Sequence, residues 1–295
     1  MATDNIEFLF RQGRAERTSS LTKARDIFQQ RKLKDDEYMK DGLIYCAICD
    51  TPRQALIEGY YVSMFCQCQQ EVKEREEAAL RKQLIEDQRK KLISSPKLRA
   101  CRFEVDDGDT PNTKQICEKY VENFEKLKEK GFGLFIFGDK GTGKTFYAYA
   151  IANALIDKGY KIRGVKLTSI IQRAQQFSED FETAVAPFYE ADLLIIDDLG
   201  KERSTPFAAE AVFNFLDGCY IRKVPLIVTT NKDIDEIEKI MNEPETAEEA
   251  TYACIFDRVF EHCKKIRLNK VRRRERLAKH NEEIMNEILG IKKSN

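Results

Sequence analysis

The sequence predicts an α/β protein, a parallel sheet flanked by helices, preceded by a small cysteine-bearing module and a helical linker. Two observations carry that expectation. From about Lys97 onward, short runs apolar on both faces, such as LLIID and PLIVTT, alternate with segments of helical periodicity, which is the pattern of strands buried between two helical layers. Ahead of this alternation, four of the nine cysteines fall within 23 residues and are followed by a long stretch of alternating charge. We divide the chain into residues 1–68 (a helical segment plus the cysteine module), 69–96 (the linker) and 97–295 (the α/β domain with a basic carboxyl-terminal helix).

The elements follow in order. Residues 1–40 are polar, with Leu21, Ala24, Ile27 and Phe28 at helical spacing; such a stripe either docks a partner or packs on the module that follows. In CAICDTPRQALIEGYYVSMFCQC, Cys46 and Cys49 form a C-x2-C pair, sixteen residues intervene, and Cys66 and Cys68 form a C-x-C pair led by the β-formers YYVSMF. Four thiolates brought together by a turn and a hairpin can close a tetrahedral shell around Zn²⁺; four reduced structural cysteines are the alternative. With every position filled by sulfur, such a zinc would be structural, because a catalytic zinc keeps one position for water. Val72, Leu80, Leu84 and Ile85 form a sparse stripe on the charged linker helix, which should end before Pro96.

In the second part, helices are expected at 113–130, 145–158, 168–178, 206–222 and from Asp233. Strands are expected at 132–137, 161–167, 193–197 and 225–230. The acidic stretch NEPETAEEA at 242–250 reads as a flexible loop.

Composition limits the partners. Lys+Arg and Asp+Glu each number 50 in 295 residues, a net charge of zero, so no global field favours nucleic acid or membrane, and any polyanion must be met by a local patch. The run KVRRRERLAK supplies one: Lys270, Arg272, Arg273, Arg274, Arg276 and Lys279 against Glu275 give +5 over ten residues. As a helix it can lie along a DNA backbone without reading bases, or stand as a solvated face neutralised by the following NEEIMNE. The first twenty residues lack an apolar core, and no run of about 18 apolar residues occurs. The expectation is a cytoplasmic protein with no membrane partner, whose remaining cysteines are small buried side chains.

The chemistry is concentrated at FIFGDKGTGKT. Gly138, Asp139, Lys140, Gly141, Thr142, Gly143, Lys144 and Thr145 satisfy G-x4-G-K-[ST] between an expected strand and an expected helix, the context this phosphate-binding loop requires. The glycines let backbone N–H groups turn toward phosphate oxygens, Lys144 neutralises the β and γ phosphates of ATP, and the Thr145 hydroxyl ligates Mg²⁺. The strand at 193–196 delivers Asp197 and Asp198 to its carboxyl end, on the tip of what we expect to be an adjacent strand. Asp197 can hold Mg²⁺ through water, and Asp198 or Glu202 can orient the attacking water; Asp198 can also simply cap a turn. Asn231, ending LIVTTN, can hydrogen-bond that water or the γ-phosphate, or serve as a turn former.

FIFGDKGTGKT, LLIIDDLG, PLIVTTN and IFDRVF, in this order and spacing, resemble the AAA+ ATPases of the DnaC-type replicative helicase loaders and the related IstB-type transposition ATPases. The similarity covers roughly residues 94–275, with SSPKLRACRFEV resembling the lead-in to such domains, and the cysteine module by pattern only. It implies a P-loop AAA+ fold and ATP hydrolysis that governs the grip on a hexameric replicative DNA helicase and on single-stranded DNA, with the amino-terminal module docking the helicase and the ATPase domain assembling with its own copies. An IstB-type transposition helper and a nucleotide-binding adaptor with little hydrolysis are the alternatives. The family's R-[IV]-x-D-R box places an arginine finger first, but here the stretch is Cys254, Ile255, Phe256, Asp257, Arg258. Either Arg258 substitutes for the finger or it forms a structural ion pair. Arg274 falls near the family's sensor arginine, which contacts its own subunit's nucleotide.

Overall fold

A computed structural model describes residues 32–177, 180–201, 205–268 and 273–289. The helical stripe Leu21–Phe28, Glu202, and Lys270 and Arg272 of the basic run lie outside the described residues. The chain divides into two compact units, 1–83 and 84–295.

The first unit is built from two antiparallel hairpins. Strand β1 (Glu37–Lys40) pairs with β2 (Leu43–Cys46), and β3 (Gln54–Ile57) with β4 (Tyr60–Ser63). Both turns are two-residue loops, Asp41-Gly42 and Glu58-Gly59, with positive φ at both positions, the backbone whose twist matches that of the flanking strands. The β1–β2 hairpin was not among the expected elements; its signal is the Asp-Gly pair between two short β-prone runs. Helix α1 (Gln67–Leu92) is charged at half of its 26 residues, and the division between the units falls within it, after Gln83.

In the second unit, α2 (Pro96–Arg99), α3 (Pro111–Glu122) and α4 (Phe124–Lys130) precede the sheet. The expected single helix at 113–130 is two helices, broken at Asn123, which has left helical geometry. Then come β5 (Gly133–Phe137), α5 (Lys144–Asp157), β6 (Ile162–Val165), α6 (Leu167–Gln176), α7 (Phe181–Tyr189) and β7 (Leu193–Ile196). The remainder is α8 (Pro206–Ile221), β8 (Leu226–Thr230), α9 (Ile234–Asn242), α10 (Ala247–His262), β9 (Cys263–Arg267) and α11 (Arg273–Leu289). The acidic stretch at 242–250 is not one loop: the Thr246 hydroxyl accepts from the Glu249 amide, and that cap starts α10 at Ala247. Helix α7 and strand β9 were not anticipated, since CKKIR carries too few apolar residues to read as a buried strand.

The sheet is wholly parallel in the order β6-β7-β8-β5-β9. Strand β8 therefore lies between β5 and β7, so the loop strand and the aspartate strand are not neighbours as expected. Alternation along each strand separates two apolar layers. Phe135, Phe137, Leu194, Ile196 and Val228 pack with Ile170, Phe215, Ile237 and Phe256 on one face. Leu134, Ile136, Leu193, Ile195 and Ile227 pack with Tyr120, Ile151 and Leu155 on the other. No helix among the described residues is long and apolar enough to cross a membrane.

Polar anchoring supplements this core at the last turn of α1. Arg89 is 1% exposed and ion-paired to Glu86 and to Asp157 at the end of α5, while Arg102 reaches the same Asp157 at 2.9 Å. Arg89 is the buried member of this set, and losing its acidic partners would leave that one charge uncompensated.

The close approach of β5 to β8 depends on Gly133. A Cβ there would lie 1.9 Å from the carbonyl oxygen of Leu226, inside any van der Waals contact and against backbone that cannot rotate away. Gly133→Ala is expected to cost about 2–3 kcal/mol, as over-packed sites do, read as a fall in Tm of roughly 4–12 °C for a domain of this size; an unchanged melting curve would contradict the observed strand spacing.

Candidate nucleotide site

The site is assembled at the carboxyl ends of β5, β7 and β8, where an open parallel sheet leaves a crevice. After β5 the chain turns through Gly138, Gly141 and Gly143 at φ of 127°, 84° and 101°, a path closed to residues with a Cβ. Helix α5 starts directly at Lys144, so the unpaired N–H groups of its first turn face the loop. Thr142 and Lys144 are buried, and the Lys144 ammonium donates to the carbonyls of Gly138 (2.8 Å) and Asp139 (2.7 Å). Burial pushes its pKa down, with Arg274 adding to the shift and Asp198, Asp139 and Asp197 opposing it. Asp139 and Lys140 are exposed, and the Asp139 carbonyl also accepts from the Thr142 hydroxyl at 2.9 Å.

Across from the loop, the Asp197 carboxylate accepts from the Thr145 hydroxyl at 2.9 and 3.2 Å and from the Thr229 hydroxyl at 2.6 Å. The Thr229 oxygen in turn accepts from the Asp198 amide at 2.9 Å. Asp198 has φ of +63°, a left-handed conformation uncommon for a residue with a Cβ. Its side chain accepts from Asn231 Nδ2 at 2.7 Å and from Lys201 Nζ at 2.9 Å. Lys144, Thr145, Asp197, Asp198 and Asn231 are thus brought to one end of the sheet, with Thr229 linking them.

Helix α11 borders the loop from the other side. The Arg274 Cβ lies 3.3 Å from where a Cβ on Gly141 would sit, so this arginine stands against the loop. Its neighbour Arg273 is held more firmly: it donates to the Thr142 carbonyl at 2.9 Å, to both Asp107 oxygens at 2.6 and 2.7 Å, and to the Thr110 hydroxyl at 3.1 Å. The guanidinium holds the Asp107 carboxyl far below the usual carboxylate range. Because that pKa is depressed, the ion pair contributes its full stability above the ordinary carboxylate pKa and loses it only as pH falls toward the lowered value.

Arg258 is elsewhere. It pairs with Asp217 at 3.4 Å, lies over the Tyr220 ring, and lines a small cleft with Gly131, Leu226 and Cys263. Those last three mark the amino ends of β5, β8 and β9, so within its own chain Arg258 is at the opposite end of the sheet from the phosphate loop. Cys254 is exposed on α10.

In the first unit, the sulfurs of Cys46, Cys49, Cys66 and Cys68 all lie within 4.8 Å of one another, with Cys46–Cys68 at 3.6 Å and Cys66–Cys68 at 3.3 Å. A tetrahedral shell with metal–sulfur bonds of about 2.3 Å has edges of about 3.8 Å, so the donor set fits zinc. The Thr51 hydroxyl beside Cys49 holds its thiol down at about 6.

Three participants escaped the sequence reading. Thr229 was concealed inside the apolar run PLIVTT, although a hydroxyl one strand from an aspartate pair is the available signal. Arg273 was only one of several arginines in KVRRRERLAK. Asp107 lies in DDGD, a loop whose 166-residue separation from Arg273 no local pattern reveals.

Known proteins share parts of this sequence and fold. A family model described as IstB-like ATP binding protein matches residues 69–280. The putative insertion sequence ATP-binding protein y4iQ/y4nD/y4sD of Sinorhizobium fredii is 28% identical over 151 residues, covering 50% of this chain and 49% of that protein; the chain thus matches about half the length of that relative. The replicative helicase loader DnaI of Bacillus subtilis is 25% identical over 245 residues, 78% of each chain. The crystal structure of the DnaC helicase loader superposes with a TM-score of 0.50 at 19% identity, covering 59% of this chain and all of that one, which supports the fold.

If Thr229 fixes the two aspartates, Thr229→Val should leave ATP affinity within a few-fold and lower turnover by roughly 10- to 100-fold, the worth of a hydrogen bond to a charged group. Steady-state kinetics beside a nucleotide-binding titration checks this.

Proposed function

This chain belongs to the IstB-like ATP binding proteins, a family of AAA+ ATPases, and we propose that it uses ATP to switch its hold on a replicative DNA helicase and deliver that helicase onto single-stranded DNA. The observation that carries the catalytic part is the convergence of Lys144, Thr145, Asp197, Asp198 and Asn231 at the carboxyl ends of three strands. The partner assignment is supported by the similarity to DnaI, a replicative helicase loader, across 78% of both chains.

In this reading the loop from Gly138 to Gly143 wraps the phosphates with backbone N–H groups, and Lys144 exchanges its two carbonyl partners for phosphate oxygens. Thr145 and Asp197, already hydrogen-bonded to each other, hold Mg²⁺. When bound, Mg²⁺ neutralises charge on the phosphates. Asp198 orients the attacking water and accepts its proton, with Asn231 fixing the carboxylate, and Arg274 contacts the nucleotide from α11. The four cysteines hold a structural Zn²⁺ in the unit that docks the helicase, and the ATPase domains assemble with one another.

A second reading, an adaptor that binds nucleotide and hydrolyses it slowly, is favoured by one feature. Cys254 stands exposed where similar proteins place a finger arginine, and Arg258 is engaged by Asp217 and Tyr220. The similarity to an insertion-sequence ATP-binding protein supports a third, a transposition helper using the same core.

Measuring ATP turnover with and without single-stranded DNA separates these readings. Lys144→Ala should abolish ATP uptake, while Asp198→Asn should keep ATP binding and lose about 100-fold or more in rate, the typical worth of a general base; unchanged turnover would remove Asp198 from the mechanism. Cys254→Arg should raise turnover of the assembled protein, since a finger is worth about 10³-fold where it is in place. Co-purification with a replicative helicase and its transfer onto covered single-stranded DNA tests the loading role, and failure of both steps would leave the adaptor or transposition readings.

A further inference from the structure

The two buried cysteines of the amino-terminal unit, Cys46 and Cys66, share their surroundings with one buried cation. Arg53 is 7% exposed. Its backbone is fixed between the two cysteine arms: the Arg53 amide donates to the Ile44 carbonyl of β2 at 2.7 Å, and its carbonyl accepts from the amide of Met64, just past β4, at 2.9 Å. From that position Nη2 reaches the Cys46 sulfur at 3.3 Å and the Asp36 carboxylate at 2.6 Å, while Nη1 reaches Glu37 at 3.1 Å. Buried Nε has no partner.

Four thiolates around a divalent cation carry two net negative charges, and two of these sulfurs are withdrawn from water. A buried charge without an opposing one is costly. A guanidinium is always protonated and offers planar, directional donors, and the two carboxylates fix its rotamer. The arrangement runs from carboxylate to guanidinium to sulfur, the same logic by which outer-shell carboxylates orient metal-binding imidazoles. Asp36 and Glu37 alone would satisfy an arginine as an ion pair; its hydrogen bond to the buried Cys46 sulfur is the additional observation.

We propose that Arg53 is an outer-shell positioning residue for a metal held by Cys46, Cys49, Cys66 and Cys68, donating to the buried Cys46 sulfur and offsetting the charge of the metal–thiolate cluster. This rests on the zinc assignment made under the proposed function.

The test uses the full chain. Zinc content is measured by elemental analysis, zinc affinity by competition with a chelating dye, and the cobalt-substituted protein by its thiolate-to-cobalt charge-transfer band. The unaltered chain should hold about one zinc per cysteine cluster. Arg53→Met, similar in length but uncharged, should weaken zinc binding by roughly 10- to 100-fold and shift the charge-transfer band, with ATP binding by the other unit unchanged. Arg53→Lys, which keeps charge but loses the fork, should fall between, and Glu37→Gln should show a smaller change of the same sign; these two carry the test if Arg53→Met does not fold. A chain free of zinc that takes up no cobalt overturns both the metal assignment and this proposal. A chain that holds zinc, with affinity and cobalt band unmoved in the Arg53 variants, overturns the Arg53 role alone and leaves the metal site standing.

Discussion

The Asp197 carboxylate is the point at which three elements of the second unit are tied together. It receives hydroxyls from Thr145 on the phosphate-loop helix and Thr229 on β8, while its own backbone belongs to the end of β7. Three elements with no local sequence relation are thereby registered against one another. The Thr229 oxygen continues the chain of bonds to the Asp198 amide, and the Leu199 amide and carbonyl bond to Thr229 and Thr230. The turn after β7 is stitched to β8 along its length, which sustains the left-handed backbone at Asp198. Backbone strain of that kind persists only where surroundings over-determine it.

Much of this architecture is legible in the residues themselves. LFIF, LLII and LIVTT are apolar on both faces and could only be strands sandwiched between helices, and the glycine spacing of GDKGTGK identifies the anion-binding turn. What the sequence conceals is non-local. Nothing in LIVTT says that its strand inserts between the other two, an order fixed by which helices cover which face. Strand β9 carries three charges in its five residues because it lies at the sheet edge, where Lys264, Lys265 and Arg267 meet water. In the acidic stretch, composition argued for disorder, whereas the Thr246 cap and the burial of Tyr252, Ile255 and Phe256 begin an ordered helix at Ala247. Among the arginines of α11, charge counting could not tell the one anchored to Asp107 from its neighbours.

The two units solve the problem of stability differently. The second has a sheet with a complete apolar layer on each face. Among the described residues, the first has four-residue strands, leaves Met39, Ile48, Leu56 and Phe65 exposed, and gathers its four cysteine sulfurs and the ionic set around Arg53. Within the second unit, the two ends of the sheet are also distinct: the phosphate loop and aspartates occupy one, and Arg258 with Asp217 and Tyr220 the other. A domain so arranged presents different chemistry on opposite rims.

Helix α5 joins two of these features. Its first residues, Lys144 and Thr145, border the phosphate crevice, and its last, Asp157, grips Arg89 and Arg102. A helix of fourteen residues is a rod of about 21 Å, stiff along its axis and packed in a dry layer that resists compression. The one rod therefore carries the phosphate-facing residues at its first turn and the carboxylate that holds Arg89 and Arg102 at its last.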